Sequence, residues 1–218
     1  MKAAMLPDTF YARRGKRALD LVLTIPALIA LAPAFFAVAI LVRCLLGSPV
    51  LFRQPRTGAG ARTFNVLKFR TMTDARDESG CLLPDVARLP VLGRLLRRTS
   101  LDELPQLFNV LRGEMSLIGP RPLLARYEPY FTGEERVRFC VKPGISGRAQ
   151  VAGRNDLSWE DRIECDVEYV RTLSVRNDFR IALKTLGVIV SPKGTGADVE
   201  CQMMPFDDYR RQQMEPRS

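Results

Sequence analysis

The segment Leu21–Val42 narrows what this chain can become more than any other. It runs for about 22 residues without a charge, enough at ~1.5 Å per residue to cross the ~30 Å hydrocarbon core of a bilayer. It lacks a polar stripe, which argues against a helix buried in a soluble core. Nor does it read as a cleavable leader: the apolar run is too long, no small-residue cleavage site follows it, and basic sequence comes next. Both flanks are cationic, with Arg13, Arg14, Lys16 and Arg17 before the run and Arg43, Arg53 and Arg56 after it. Positive flanks favour the cytoplasm, so neither end is marked for translocation. Pro26 and Pro33 lie inside the run. Each removes a helix hydrogen bond and crowds the carbonyl four residues back. At this spacing they lie near one face, so their bends add. A helix that enters the membrane, bends and returns to the same side fits both charges and prolines. A kinked spanning helix is the alternative, because proline is tolerated in membrane spans.

The length of 218 residues allows one substantial domain, or one domain with an appendage. The formal charge of +9 points to an anionic partner: nucleic acid, a phosphorylated substrate or an anionic membrane. Histidine is absent. This excludes a Ser-His-Asp triad, a Cys-His dyad and His-ligated zinc. Chemistry must rest on carboxylates, lysine, tyrosine, hydroxyls or thiols. Cys44, Cys81, Cys140, Cys165 and Cys201 are dispersed, odd in number and without a C-x-x-C pair, as for free thiols in a reducing compartment.

Beyond the apolar run, Val50–Phe52 and Thr63–Arg70 read as the strands of a β-hairpin turning at Arg56–Gly60. Lys68 and Arg70, near its end, are ordinarily solvated strand charges. Thr73–Gly80 reads as an exposed loop or short helix. Leu89–Arg98 sets Leu92, Leu95 and Leu96 against Arg94, Arg97 and Arg98. Such a basic amphipathic helix can lie among lipid headgroups or on a soluble core. Leu104, Leu107, Phe108 and Leu111 have helical spacing, and Gly113 ends that helix. Thr132–Glu135 is a capping-box candidate. Ser158 opens a helix running to about Arg171, and Asn177-Asp178 caps a last apolar helix, Phe179–Val190. From Ser191 onward apolar periodicity is lost, as in a loosely ordered tail.

The chemistry-bearing motif is Ser100-Leu101-Asp102-Glu103-Leu104-Pro105-Gln106-Leu107, followed by Gly119-Pro120-Arg121-Pro122. Adjacent carboxylates can serve as nucleophile or metal ligands, and a rigidly held arginine pairs bidentately with phosphate oxygens. The competing reading is structural: Ser100 with Glu103 fits a capping box, and acids in a first turn complement the helix dipole. Further on, Lys142 to Asn155 is rich in glycine and cations, which suits a diphosphate. It contains neither a Walker loop nor G-x-G-x-x-G.

Together these blocks resemble the bacterial sugar transferases known as monotopic phosphoglycosyl transferases. The matching blocks are Lys16-Arg17-x-x-Asp20, Gly47-Ser48-Pro49-Val50, Arg53-Gln54, Lys68-Phe69-Arg70-Thr71-Met72, the Ser100 and Gly119 motifs above, Asn109-Val110-Leu111-x-Gly113-x-Met115-Ser116, Pro143-Gly144-Ile145-x-Gly147 and Gly153-Arg154-Asn155. They run in order over roughly residues 16 to 190, and their number is more specific than any single block.

The resemblance implies transfer of a phosphosugar from a UDP-sugar to polyprenol (undecaprenyl) phosphate, with Mg²⁺ and release of UMP, as the first membrane step of a bacterial glycan. It implies an α+β, mainly α fold: a re-entrant membrane helical hairpin in residues 1–46, a cytoplasmic catalytic domain over 47–190 with amphipathic helices and a short β-hairpin, then the tail 191–218. The implied location is the cytoplasmic face of the inner membrane. Asp102 takes the position of the family's nucleophile and Glu103 that of its acidic partner, both as candidate Mg²⁺ contacts. Lys68, Arg70, Arg121, Arg148, Arg154, Asn155 and Asp166 are the implied substrate-binding residues; Arg17, Asp20, Pro26 and Pro33 belong to the membrane segment. The chain departs from the family where Ala32-Pro33 replaces Ser-Pro, where Arg148 replaces a frequent Trp and where Ala152 replaces a frequent Asn. A nonenzymatic membrane scaffold would explain the basic apolar segment but not the ordered motifs. A nucleic-acid binder would explain the charge, but no nucleic-acid motif is present.

Overall fold

The computed structural model describes Pro7 and residues 9–153, 157–190 and 203–214. The apolar run forms helix α1, Lys16–Leu45, entered through a π-helical turn at Tyr11–Gly15. The expected hairpin is instead one continuous helix, with Pro26 and Pro33 both inside it. Proline's fixed φ is itself helical, so its lost hydrogen bond need not end the helix. Asp20, Thr24, Val38 and Val42 face inward, while Val22, Leu23, Ile29, Phe36 and Ile40 are exposed.

Both ends of α1 rest on the same body. Near its start, Arg17 donates to the carbonyls of Val110 (2.6 Å) and Leu111 (2.9 Å). These carbonyls lie at the end of helix α4, Gln106–Arg112, where backbone acceptors lack helical partners. The Asp20 carboxylate accepts from Ser116 Oγ (3.0 Å) and Leu117 N–H (3.1 Å). Toward the other end, Val38, Val42 and Leu46 pack with Phe69 and Leu96. The Phe35 ring meets Phe69 and Phe108 at centroid distances of 5.1 and 5.3 Å.

The hairpin forms as expected in type but is longer. Strands β1, Leu51–Thr57, and β2, Thr63–Phe69, are antiparallel, with Leu51 opposite Phe69 and Thr57 opposite Thr63. After the short helix α2, Asp85–Arg88, comes the amphipathic α3, Val91–Arg98, which buries Gly93 and Leu96 and exposes Val91 and Leu95. Gly113, at φ 81°, ends α4 in the left-handed conformation, which glycine adopts without a Cβ penalty.

A second sheet went unread in the sequence. Strands β3, Ser116–Ile118, and β4, Gly144–Ser146, pair in parallel. Each has only three residues, too few to show periodicity. Their approach requires glycine: a Cβ on Gly144 would lie 2.1 Å from the Gly119 nitrogen.

Helices α5, Arg148–Ala152, and α6, Trp159–Arg171, follow. The Ser158 hydroxyl accepts from the Asp161 N–H and caps α6, whose bounds match the sequence reading. The Thr132 capping box also forms, with reciprocal bonds between Thr132 and Glu135. Helix α7, Val175–Val190, starts four residues before the expected Phe179. Asp178 is therefore no cap. It lies inside the helix and accepts from Tyr169 Oη (2.8 Å), Lys16 Nζ (2.6 Å) and Tyr11.

The tail expectation is corrected at its end. Helix α8, Phe206–Met214, docks on the body, and Phe206 is fully buried with Tyr127, Phe131, Phe139 and Trp159. Phe206 and Tyr209 in an otherwise mostly polar helix leave no apolar periodicity, so the anchor was not legible. Cys44, Cys81, Cys140 and Cys165 are free thiols, as the spacing suggested. Cys201 lies outside the described residues. The architecture is thus mostly helical, with two small sheets and one long apolar helix.

Candidate active site

The acid pair sits on a single 3-10 turn, Leu101–Glu103, preceded by Ser100 at φ 57°. The capping-box reading fails here. The Ser100 side chain makes no cap, and Glu103 turns elsewhere. Pro105 then sets the backbone for α4, which starts at Gln106, as proline does at a helix's first turn.

The turn opens onto a cleft of about 1400 Å³, lined by Asp102, Glu103, Lys68, Arg70, Arg121 and Asp166 among others. The two carboxylates have opposite surroundings. Glu103 Oε1 accepts from Lys68 Nζ at 2.6 Å and from Arg121 Nη2 at 3.2 Å. Burial alone would raise its pKa, but the charges of Arg121 and Lys68 outweigh burial and hold the carboxyl at about 2. Asp102 is only 7% exposed. Burial pushes its carboxyl up to about 6 against the pull of Lys68, with Glu103 adding to the rise. Among the described residues, none donates a hydrogen bond to it. Glu103 is an anchored anion, whereas Asp102 is a carboxylate with both oxygens uncommitted.

Lys68 reaches the site from β2, and Arg121 from the double-proline loop after β3. Arg56, at the end of β1, donates to Gln54 and to the Pro122 carbonyl (3.2 Å), bracing that loop. Burial and the neighbouring Arg121 lower the Arg56 pKa to about 10. The cleft also contains cations that the sequence reading did not assign to the site: Arg53 and Arg56, read as flanks of the apolar run, Arg97, read on an amphipathic helix, and Arg88 and Arg162. Arg97 donates to Thr71 Oγ1 at 3.1 Å. In the sequence it is one of three arginines on an amphipathic helix, with nothing to mark it from its neighbours.

The other expected substrate contacts divide. Arg70 lines the cleft, but its guanidinium serves the surrounding loop, bonding the Met72 and Ser48 carbonyls and Asp74. Arg148 is absent from the cleft wall and pairs with Glu168 at 2.7 Å. Asp166 lines the cleft from α6 while one of its oxygens accepts from the buried Arg138 at 2.8 Å. The other oxygen is buried without a partner, and burial raises the Asp166 pKa. Arg138 also donates to the Arg121 carbonyl at 2.8 Å. This tie between α6 and the arginine loop carried no sequence signal. Arg154 and Asn155 lie outside the described residues. Arg17 and Asp20, expected in the membrane segment, lie in α1 and fasten it to the body.

Among the described residues no group of three or more Cys, Asp and Glu side chains forms a metal cage. Mg²⁺ needs less, commonly one or two carboxylates with substrate phosphates completing its shell. The uncommitted Asp102 carboxylate fits that role, with Glu103 beside it.

The bacterial sugar transferase family model matches residues 11–192. The uncharacterized sugar transferase EpsL of Bacillus subtilis (strain 168) is 50% identical over 159 residues, covering 73% of this chain and 78% of the relative. A UDP-glucose:undecaprenyl-phosphate glucose-1-phosphate transferase of Caulobacter vibrioides (strain ATCC 19089 / CIP 103742 / CB 15) is 38% identical over 186 residues, 78% of this chain and 68% of the relative. A UDP-N-acetylgalactosamine-undecaprenyl-phosphate N-acetylgalactosaminephosphotransferase of Aeromonas hydrophila is 36% identical over 199 residues, 88% of this chain and 47% of the relative. The match takes in α1, both sheets and every cleft residue discussed above, and on that extent the chain belongs to the bacterial sugar transferases.

Proposed function

We propose that the protein transfers a phosphosugar from a UDP-sugar to undecaprenyl phosphate, with Asp102 as nucleophile. The observation that carries this reading is the uncommitted Asp102 carboxylate beside a Glu103 anchored by Lys68 and Arg121. The names of the relatives support the substrate classes. They differ in the sugar, so the donor sugar is left to experiment.

An Asp102 oxygen attacks the phosphorus that bears the sugar. The bond from that phosphorus to the bridging oxygen breaks, and UMP leaves with the electron pair. A phosphate oxygen of the lipid then attacks the same phosphorus, the acyl-phosphate bond breaks, and Asp102 regains its carboxylate. A carboxylate nucleophile thus divides one displacement into two. Arg121 pairs with donor phosphate oxygens, and Lys68, bonded to the same Glu103 oxygen, adds positive charge. Asp102 and Glu103 would hold Mg²⁺, which would supply charge neutralisation for the diphosphate.

The site works at the cytoplasmic face of the inner membrane. The basic flanks of the apolar run support this, and so does the seating of both ends of α1 on one body. A scaffold has no need of the acid pair or the cationic cleft.

The test is a panel of UDP-sugars with undecaprenyl phosphate, scored for UMP. Without lipid, the right donor should release about one UMP per protein and leave a phosphosugar mass on the Asp102 peptide. Asp102→Asn should lose adduct and turnover while remaining folded, and EDTA should suppress the burst. An adduct on Glu103, or rapid turnover without any adduct, would overturn the assignment.

A further inference from the structure

We propose that Phe206 of the C-terminal helix is a positioning residue for donor binding, acting through Trp159 on the α6 wall of the cleft. This rests on the reading that the cleft takes a nucleoside-diphosphate donor. Helix α8 lies beyond the residues 11–192 that match the family, yet its Phe206 ring packs on that wall. The Phe206 ring is fully buried, with centroid distances of 5.1 Å to Trp159, 4.8 Å to Phe131 and 5.7 Å to Tyr127.

Trp159 is held a second way. Its indole N–H donates to the Met204 carbonyl at 2.8 Å, so residues 203–206 grip both the ring and its polar edge. The helix is fastened outside this contact by the Arg210–Glu135 pair, by Arg126–Asp207 at 3.3 Å and by Gln213–Glu160 at 3.1 Å.

Trp159 transmits the grip inward. It lines the cleft, and the guanidinium of Arg162, which also lines it, lies 5.3 Å from the Trp159 ring centroid. Arg162 Nε donates to the Leu157 carbonyl at 3.1 Å. A guanidinium stacked on an indole, with its Nε bonded to a backbone carbonyl, is a pre-oriented cation. Its place in the wall suits an anionic donor. If Phe206 is lost, Trp159 can rotate into the space, and Arg162 loses its platform while the acid pair on its separate turn is untouched. Donor binding then weakens and the chemical step does not.

The chain has a single tryptophan, so intrinsic fluorescence reports Trp159 alone. In the full-length protein, Phe206→Ala should red-shift Trp159 emission and raise its quenching by acrylamide. It should raise the donor KM about tenfold or more while kcat and the lipid KM stay within about threefold. Phe206→Leu, which fills the space, should restore most of the donor KM. If Phe206→Ala does not fold, Arg210→Gln leaves the aromatic cluster filled and should shift emission and donor KM in the same direction. An unchanged donor KM in a folded variant with loosened Trp159, or a uniform loss in kcat and both KM values, overturns the proposal. A wild-type protein that releases no UMP from any UDP-sugar overturns the reaction. UDP quenching of Trp159 that weakens in Phe206→Ala would still sustain a nucleotide-binding wall. Absence of both in the wild type overturns reaction and proposal together.

Discussion

Asp102 carries an ionisation cost that Glu103 does not. Its carboxyl sits at about 6 because of burial, so the folded protein holds that proton more tightly than the unfolded chain. The resulting stability is fully present below the ordinary aspartate range and is lost as pH rises through about 6. At pH 7.5 the ionised group costs about 3 kcal/mol. Asp102→Asn should therefore raise the melting temperature at pH 7.5 by roughly 5–10 °C, and about half that advantage should remain at pH 5. A melting temperature unchanged at both pH values would contradict the burial cost. Glu103 has the opposite sign: held at about 2, it contributes stability above the ordinary glutamate range that is lost as pH falls through about 2. Glu103→Gln should accordingly destabilise at neutral pH, leaving Lys68 and Arg121 without their shared anion. Arg121→Lys keeps the charge but loses the fork. With one charge-assisted contact worth roughly 1.5–3 kcal/mol, kcat/KM should fall about 10- to 100-fold at unchanged melting temperature. Unaltered kinetics would leave Arg121 as loop punctuation alone.

At the scale of elements, legibility followed locality. The hairpin, α4 with its Gly113 stop and the Ser158-capped α6 each carry a local signal; α6 formed within the expected bounds, whereas the first hairpin strand runs on through the expected turn to Thr57 and α4 starts later than the acid pair, at Gln106. The parallel β3–β4 pair joins Ser116 to Gly144, and no local pattern records such a pairing. Asp178 reads as a cap because its tie to Tyr11 and Lys16, across most of the chain, is invisible in its neighbours. The same holds in the cleft. Asp102, Glu103, Lys68 and Arg121 were legible through their motifs, whereas the Arg138 tie between Asp166 and the Arg121 carbonyl exists only once the 3-10 turn Glu135–Cys140 has packed on α6. Close packing also fixes α3. A Cβ on Gly93 would lie 2.0 Å from the Thr71 carbonyl oxygen, a backbone atom that cannot step aside cheaply. Gly93→Ala should cost about 1–3 kcal/mol and move Arg97 away from Thr71. Gly133→Ala, with nothing within 4 Å, is the control and should leave the melting temperature near wild type. Equal melting temperatures for both variants would mean that α3 does not sit against Thr71.

For the whole molecule, the decisive relation is between α1 and the body it rests on. Asp20 and Val38 are about 27 Å apart along a straight helix, close to the ~30 Å of a bilayer core. Asp20 is bonded to β3, and Val38 packs toward Phe69 and Leu96. A charged body cannot lie on both sides of a membrane. Were α1 a straight span, one of these two contacts would have to be surrendered, and surrendering the first would leave the Asp20 carboxylate unpaired in lipid. Keeping both needs a helix that lies along the interface or bends at its prolines, with its two ends on one side. On that reading its exposed apolar residues, among them Val22, Ile29, Phe36 and Ile40, should face lipid. The labelling test uses the native exposed Cys44 at one end and Phe10→Cys, at an exposed position, at the other, each in an otherwise cysteine-free chain. In sealed inverted vesicles, whose outer surface is cytoplasmic, an impermeant maleimide should label both. In right-side-out vesicles it should label neither. Asp20→Ala combined with Arg17→Ala and Pro33→Leu removes two of the anchors at that end and restores a helix hydrogen bond worth about 3 kcal/mol or more with its steric relief. That combination should move one end across, so that Phe10→Cys and Cys44 label from opposite sides. Opposite-side labelling in the unaltered chain would instead make α1 a spanning helix, and the seating of its two ends on one body would be wrong.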